Sequence, residues 1–148
     1  MTAAAAGPSL WARRLGLCGL IPFVTLAAAL WLAWPSGWPP ASTALLGYGA
    51  TIASFLGAIH WGLVMRDAPA QPVPSLLWGV VPSLLAWVAL LVGTVPGLWL
   101  VVLGLWACFA VDRAVYPRFG LQGWLAMRLA LTVVATLACA WVAWSLRP

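Results

Sequence analysis

The chain has 148 residues, of which 65% are hydrophobic and only 6% charged, with a mean hydropathy of +1.05. A soluble domain carries about 25% charged residues, so there is too little polar material to cover a water-facing surface, and a soluble fold is excluded. The net charge of +5 does not point to nucleic acid: the basic residues are arginines scattered as Arg13, Arg14, Arg66, Arg113, Arg118, Arg128 and Arg147, flanking hydrophobic runs as topology signals do.

A hydrocarbon core about 30 Å thick takes about 20 helical residues. Backbone groups inside it must bond within their own segment, so apolar spans here are helices. Five are expected, over 15–34, 43–65, 75–94, 97–116 and 122–146. Together they make an all-α, polytopic five-helix membrane bundle in a single membrane domain over 1–148. The first run follows Arg13-Arg14, is longer than a signal-peptide core and lacks a small-residue cleavage site, so it reads as a retained helix. The breaks fall at Trp34–Pro40, Arg66–Pro69, Gly93–Gly97 and Pro117–Gly120, each rich in the Pro and Gly that stop helices. The third is short enough to make spans three and four a tight hairpin. Within the spans, Pro22 and Pro82 each remove a helix hydrogen bond and should kink their helix. Gly19-Leu20-Ile21-Pro22 resembles Gly79-Val80-Val81-Pro82, which leaves a two-helix duplication open.

Six of the seven arginines and both aspartates fall at one set of boundaries. The positive-inside rule then places the N-terminus in the cytoplasm and the C-terminus outside. Trp11, Trp61, Trp78 and Trp124 lie near the inner boundary. Trp31, Trp34, Trp38, Trp99, Trp141 and Trp144 lie near the outer one, as interfacial indoles do. Trp87 and Trp106 lie deeper, where an indole N–H needs a partner; they either pack in the bundle or line a cavity. Cys18, Cys108 and Cys139 have no metal-ligand spacing and read as small apolar packing residues.

The lone histidine, His60, lies inside span two, where an ionisable side chain marks a candidate functional site. Gly49, Ala53 and Gly57 share its side of the helix, and small residues let helices approach closely in lipid. His60 should therefore point into the bundle, about 7–8 Å from the inner end of its span. Asp112, Tyr116 and Arg128 lie at similar depth, and Ser83 follows Pro82. A charge buried in lipid normally pairs, so His60, Asp112 and Arg128 are expected to converge in the inner half of the bundle, with Tyr116 nearby. Four readings of this cluster stand: a structural polar clasp; a ligand or cofactor site formed by His60, Trp61, Trp78, Ser83, Asp112, Tyr116 and Arg128; catalysis; or a proton path. No catalytic residue and no metal ligand set is identified. One histidine cannot supply two axial haem ligands, and the sequence specifies no cofactor.

Leu17–Phe23, Tyr48-Gly49-Ala50, Ser54–Gly62, Trp78–Trp87 and Asp112-Arg113 resemble the domain-of-unknown-function 3429 family, the bacterial relatives of transmembrane protein 69. The resemblance covers about residues 15–140. It implies a bacterial inner-membrane protein with a mitochondrial relative and no established activity, and it adds no catalytic residue. A second likeness, to the tryptophan-rich sensory (translocator) proteins, rests on five spans and Trp38-Pro39-Pro40. The aromatic-proline-valine-tryptophan signature of that family is absent; Ala41-Ser42-Thr43-Ala44 stands in its place. The functional expectation is a non-enzymatic accessory subunit or assembly factor of a membrane complex. The alternative is a receptor or transporter that binds a tetrapyrrole, quinone or lipid near His60. The partners expected are the lipid bilayer and other membrane subunits or further copies of the chain, with no nucleic acid.

Overall fold

The computed structural model describes residues 7–30, 40–67 and 72–147. Among these residues there is no β-strand, and five helical spans are long and apolar enough to cross a membrane: Leu10–Ala29, Ala41–Arg66, Val73–Leu91, Thr94–Phe119 and Gln122–Ser145. The expected break at 34–40, with Trp31, Trp34 and Trp38, falls outside the described residues except for Pro40, as do Ala68 and Pro69 of the second break.

The first span begins at Leu10, five positions before the expected start. Ser9 caps it, accepting the Ala12 N–H at 3.2 Å, and Arg13 and Arg14 stand exposed on the first turns. Arginine stems can lie along an apolar helix while the guanidinium stays at the polar boundary, so two arginines did not delay the helix. Arg14 also lies over the Trp11 ring, 5.5 Å from its centroid. Pro22 does more than kink this span. The helix divides into α1 (Leu10–Cys18) and α2 (Ile21–Ala29) across a turn at Gly19-Leu20. The Gly19 carbonyl exposed at that break accepts the Tyr48 hydroxyl at 2.8 Å, and Tyr48 packs edge-on against Phe23.

Helix α3 (Ala41–Arg66) is the central element. Its 26 residues extend about 39 Å at 1.5 Å per residue, longer than the hydrocarbon core. It packs on α2, on α4 (Val73–Leu91), on α5 (Thr94–Val115) and on α6 (Leu125–Ser145). Small residues set these approaches. A Cβ on Gly49 would lie 2.8 Å from the Val101 side chain of α5, and one on Gly57 would lie 2.6 Å from the Gly79 carbonyl of α4. Pro82 stays inside a continuous α4 and is buried against Gly57.

The α4–α5 hairpin turns at Val92-Gly93, where Gly93 takes φ 94°, a conformation that favours glycine. Gly97 then fits against the Ala89 carbonyl. Helix α5 ends in a 3-10 turn over Tyr116–Phe119, closed by Gly120 at φ 70°. A second short 3-10 turn over Gln122–Trp124 leads into α6. Successive spans run antiparallel, so Arg13, Arg14, Arg66, Arg113, Arg118 and Arg128 gather toward one end of the bundle. At the opposite end Arg147 lies over the Trp99 and Trp144 rings, 5.2 and 4.6 Å from their centroids.

Trp87 and Trp106 neither pack inside the bundle nor line the cleft described below. Trp87 is 60% exposed on α4, and Trp106 is exposed on α5, edge-on to Phe109. Leu77, Val80, Leu84, Trp87 and Leu91 form one large-residue face of α4, and all are exposed. The opposite side of α4 is lined by Gly79, Pro82, Ala86 and Ala89, which are buried. In lipid, small residues turn inward because they allow close helix contact, while bulky apolar ones face the acyl chains at no penalty.

Candidate functional site

Three helices bring His60, Asp112 and Arg128 together. His60 lies six residues before the end of α3, Asp112 three before the end of α5, and Arg128 three after the start of α6. All three are buried, at 1%, 1% and 6% relative exposure. Asp112 is the hub. Its Oδ2 accepts Arg128 Nε at 2.8 Å and Nη2 at 2.6 Å, and its Oδ1 meets His60 Nε2 at 3.1 Å. A carboxylate paired to a guanidinium is acceptor-only, so His60 Nε2 must carry the proton it donates. His60 Nδ1 is buried with no protein partner among the described residues. Tyr116, also buried, neighbours both Asp112 and Arg128.

The charges are therefore compensated within the bundle: the Arg128 guanidinium faces the Asp112 carboxylate directly. Removing one member of such a buried pair typically costs about 3–5 kcal/mol, because the other is left desolvated and alone. The cluster ties α3 to the α5–α6 pair at the arginine-rich end.

Beside this clasp lies a cleft of about 390 Å³, bounded by α1, α2, α3, α5 and α6. Its walls are mostly apolar, with Phe23, Ile52, Leu105 and Leu131 among them. Leu15 and Phe55 line it and are themselves exposed, so the cleft is open along its α1–α3 side. Its polar residues are Tyr116, Trp124, Arg128 and Thr132. Thr132 is 2% exposed, and its hydroxyl has no protein partner among the described residues. The hydroxyls of Thr25, Thr51, Ser54, Thr136 and Ser145 all bond back to carbonyls of the preceding turn. Thr132 does not.

The seven residues grouped from sequence thus divide. Arg128 and Tyr116 line the cleft; His60 and Asp112 stand behind Arg128 and do not. Trp61, Trp78 and Ser83 belong to the α3–α4 side. The Trp61 indole packs over Gly79 and gives its N–H to the Leu76 carbonyl at 3.0 Å. Trp78 is half-buried against the core, its indole N–H without a protein partner among the described residues. Ser83 is half-buried on α4, next to Pro82. No expectation singled out Leu131, Met127, Ile52 or Gly16, which complete the cleft. Two signals were available: Pro22, which breaks the first span, and Gly16 with Gly19, which take volume from its inward side.

Among the described residues no group of three or more His, Cys, Asp or Glu side chains could hold a metal ion. Cys108 and Cys139 are buried and Cys18 is exposed, all as free thiols.

Five apolar spans around a buried ion-paired clasp define a small multi-pass integral membrane protein. The model of the family described as "protein of unknown function (DUF3429)" matches residues 9–144, and the chain belongs to that family. It is 40% identical over 126 residues to transmembrane protein 69 of Xenopus tropicalis, covering 82% of this chain and 49% of that protein. It is 38% identical over 77 residues to transmembrane protein 69 of Mus musculus, covering 51% of this chain and 31% of that protein. The chain therefore spans at most about half the length of these curated relatives. No solved structure matches it.

Proposed function

We propose that this chain is a non-enzymatic binding protein of the bacterial inner membrane that holds a hydrophobic small molecule in the cleft between its first span and α3, α5 and α6. The cleft carries this reading. Its volume of about 390 Å³ lies in the range of small-molecule sites, about 300–1,000 Å³, and it has the usual makeup of apolar walls with a few polar groups. Its open side gives a molecule dissolved in the bilayer a direct way in. The buried carboxylate is engaged by Arg128 and His60 and does not line the cleft, which favours binding over acid–base chemistry. Arginines gathered at one end favour an orientation with the N-terminus in the cytoplasm.

Purification from native membranes followed by organic extraction and mass spectrometry tests this reading. The wild type should yield a stoichiometric hydrophobic compound that Leu131→Trp, which fills the cleft, lacks. Equal extracts from both proteins would contradict it.

A second reading, an accessory subunit or assembly factor, draws on Trp87. Its indole is 60% exposed well inside a span, where an N–H gains from a partner on another chain. Cross-linking from position 87 in membranes should trap a second copy or a larger subunit; labelling confined to lipid would count against it.

A further inference from the structure

We infer that the arginine-rich end of the bundle is a docking surface for anionic phospholipid headgroups, held by Arg13, Arg14, Arg113 and Arg118. The leaflet concerned is the cytoplasmic one in the orientation that the positive-inside rule favours. The inference does not depend on what the cleft holds.

Charge accounting is the first argument. The chain has two acidic side chains against seven arginines. Both acids are engaged: Asp112 accepts from Arg128 at 2.6 and 2.8 Å, and Asp67 accepts from Arg66 at 2.7 Å. Arg13, Arg14, Arg113 and Arg118 are exposed and have no carboxylate left to pair with. Arg147 lies at the opposite end, over Trp99 and Trp144. Positive charge at the arginine-rich end is therefore uncompensated by the protein, and its countercharge must come from outside. An anionic lipid surface supplies one, and attracts a nearby basic side chain by about fivefold in affinity.

Position is the second. The four side chains leave elements that flank the start of α6. Helix α1 packs on α6, with Gly16 against Met127 and Leu131, and carries Arg13 and Arg14 about one turn earlier. Arg113 stands in the last turn of α5, and Arg118 in the 3-10 turn that leads toward α6. No residue of α1 is buried, so Arg13 and Arg14 face the surroundings of the bundle. All four stand at the ends of membrane spans, where headgroups lie, which favours a lipid over an acidic segment of another protein.

Donor geometry is the third. A guanidinium grips phosphate oxygens through two parallel N–H groups along its edge. Arg14 lies with its guanidinium over the Trp11 ring, 5.5 Å from the centroid, and stacking of this kind leaves the N–H edge free for such a pair. A phosphodiester whose head carries no cation suits this surface. The choline of phosphatidylcholine would be set among guanidinia.

Native mass spectrometry of the full chain in mild detergent tests the inference, with dioleoyl phosphatidylglycerol against dioleoyl phosphatidylcholine, which share their acyl chains. Phosphatidylglycerol should bind at least about fivefold more tightly, the attraction of one arginine. The fourfold variant Arg13→Gln, Arg14→Gln, Arg113→Gln, Arg118→Gln should lose that preference, and Arg147→Gln should keep it. Equal binding of the two lipids by the wild type, or a preference that survives in the fourfold variant, would overturn the inference.

Salt gives a reading that needs no variant. Phosphatidylglycerol should raise the melting temperature of the wild type more than phosphatidylcholine does, and roughly 0.5 M sodium chloride should erase that margin, because exposed charges are screened. A margin indifferent to salt would contradict a surface of exposed arginines. Leu131→Trp, which fills the cleft, distinguishes the surface from the cleft. The preference for phosphatidylglycerol should persist in it; a preference lost there would put the anionic lipid in the cleft and overturn the surface assignment.

Discussion

The two flanks of α3 are built on opposite terms. Toward α4, glycine meets glycine: Gly57 approaches the Gly79 carbonyl, Trp61 covers Gly79, and Pro82 fills the space beside Gly57. Toward the first span the same helix presents Ile52, Phe55, Leu56 and Ile59, and the partner is broken at Gly19-Leu20, so a cleft remains. Close backbone approach maximises dispersion contact and leaves no room for a guest. Bulky side chains facing a broken helix hold the elements apart and leave volume that the bundle does not fill. The His60–Asp112–Arg128 clasp stands between the flanks and fixes α3 against α5 and α6 whatever occupies the cleft.

The largest effect should come from the clasp. Asp112→Ala strands Arg128 and is expected to cost about 3–5 kcal/mol of stability, read as a large loss of melting temperature in detergent. Asp112→Leu combined with Arg128→Met removes both charges and should recover most of that loss. A double variant no better than the single would mean that the pair is not the stabilising unit.

A smaller effect separates the flanks directly. Gly57→Ala forces a Cβ to 2.6 Å from the Gly79 carbonyl and should cost about 1–3 kcal/mol, as overpacking does. Gly16→Ala on the cleft flank meets Leu131 at an ordinary 3.4 Å and should change stability by less than about 0.5 kcal/mol. Equal losses at the two glycines would erase the contrast.

Next comes Tyr48→Phe, which removes the hydroxyl bonded to Gly19 at the break. About 1 kcal/mol is expected, with faster hydrogen exchange confined to α1 and α2. Exchange that rises evenly through the bundle would detach Tyr48 from the break. The smallest change is Arg66→Ala, which loses only an exposed pair with Asp67 and should stay within about 0.5 kcal/mol.

Much of this architecture could be read from the residues. Composition demanded lipid, and the Pro-Gly breaks divided the chain into five helices. The depth of His60 and the small residues on its side of span two pointed it inward, and the penalty for an unpaired charge in lipid pointed Asp112 and Arg128 toward each other. The contrast between the flanks was not legible. Gly19–Pro22 and Gly79–Pro82 share their spacing, yet the first breaks its helix and the second does not. The difference lies in tertiary partners: Tyr48 takes up the carbonyl freed at Gly19, whereas Gly79 is sealed beneath Trp61. Trp87 was misplaced because a deep indole suggests a buried one. Its neighbours at three- and four-residue spacing, Leu84 and Leu91, show that it belongs to the face turned toward lipid. Trp61 and Trp78 share the depth of the clasp but sit on the other side of α3, and depth alone does not reveal side.

Spin-label oxygen accessibility at position 131 tests the open flank most directly, with exposed Val81 on α4 as the lipid-facing reference. The cleft predicts that a nitroxide at Leu131→Cys, in the empty protein, collides with oxygen at a rate approaching that at Val81→Cys, and that decylubiquinone or dioctanoylglycerol suppresses collisions at 131 alone. A label at 131 as shielded as a packed interior side chain, and indifferent to both compounds, would contradict the account.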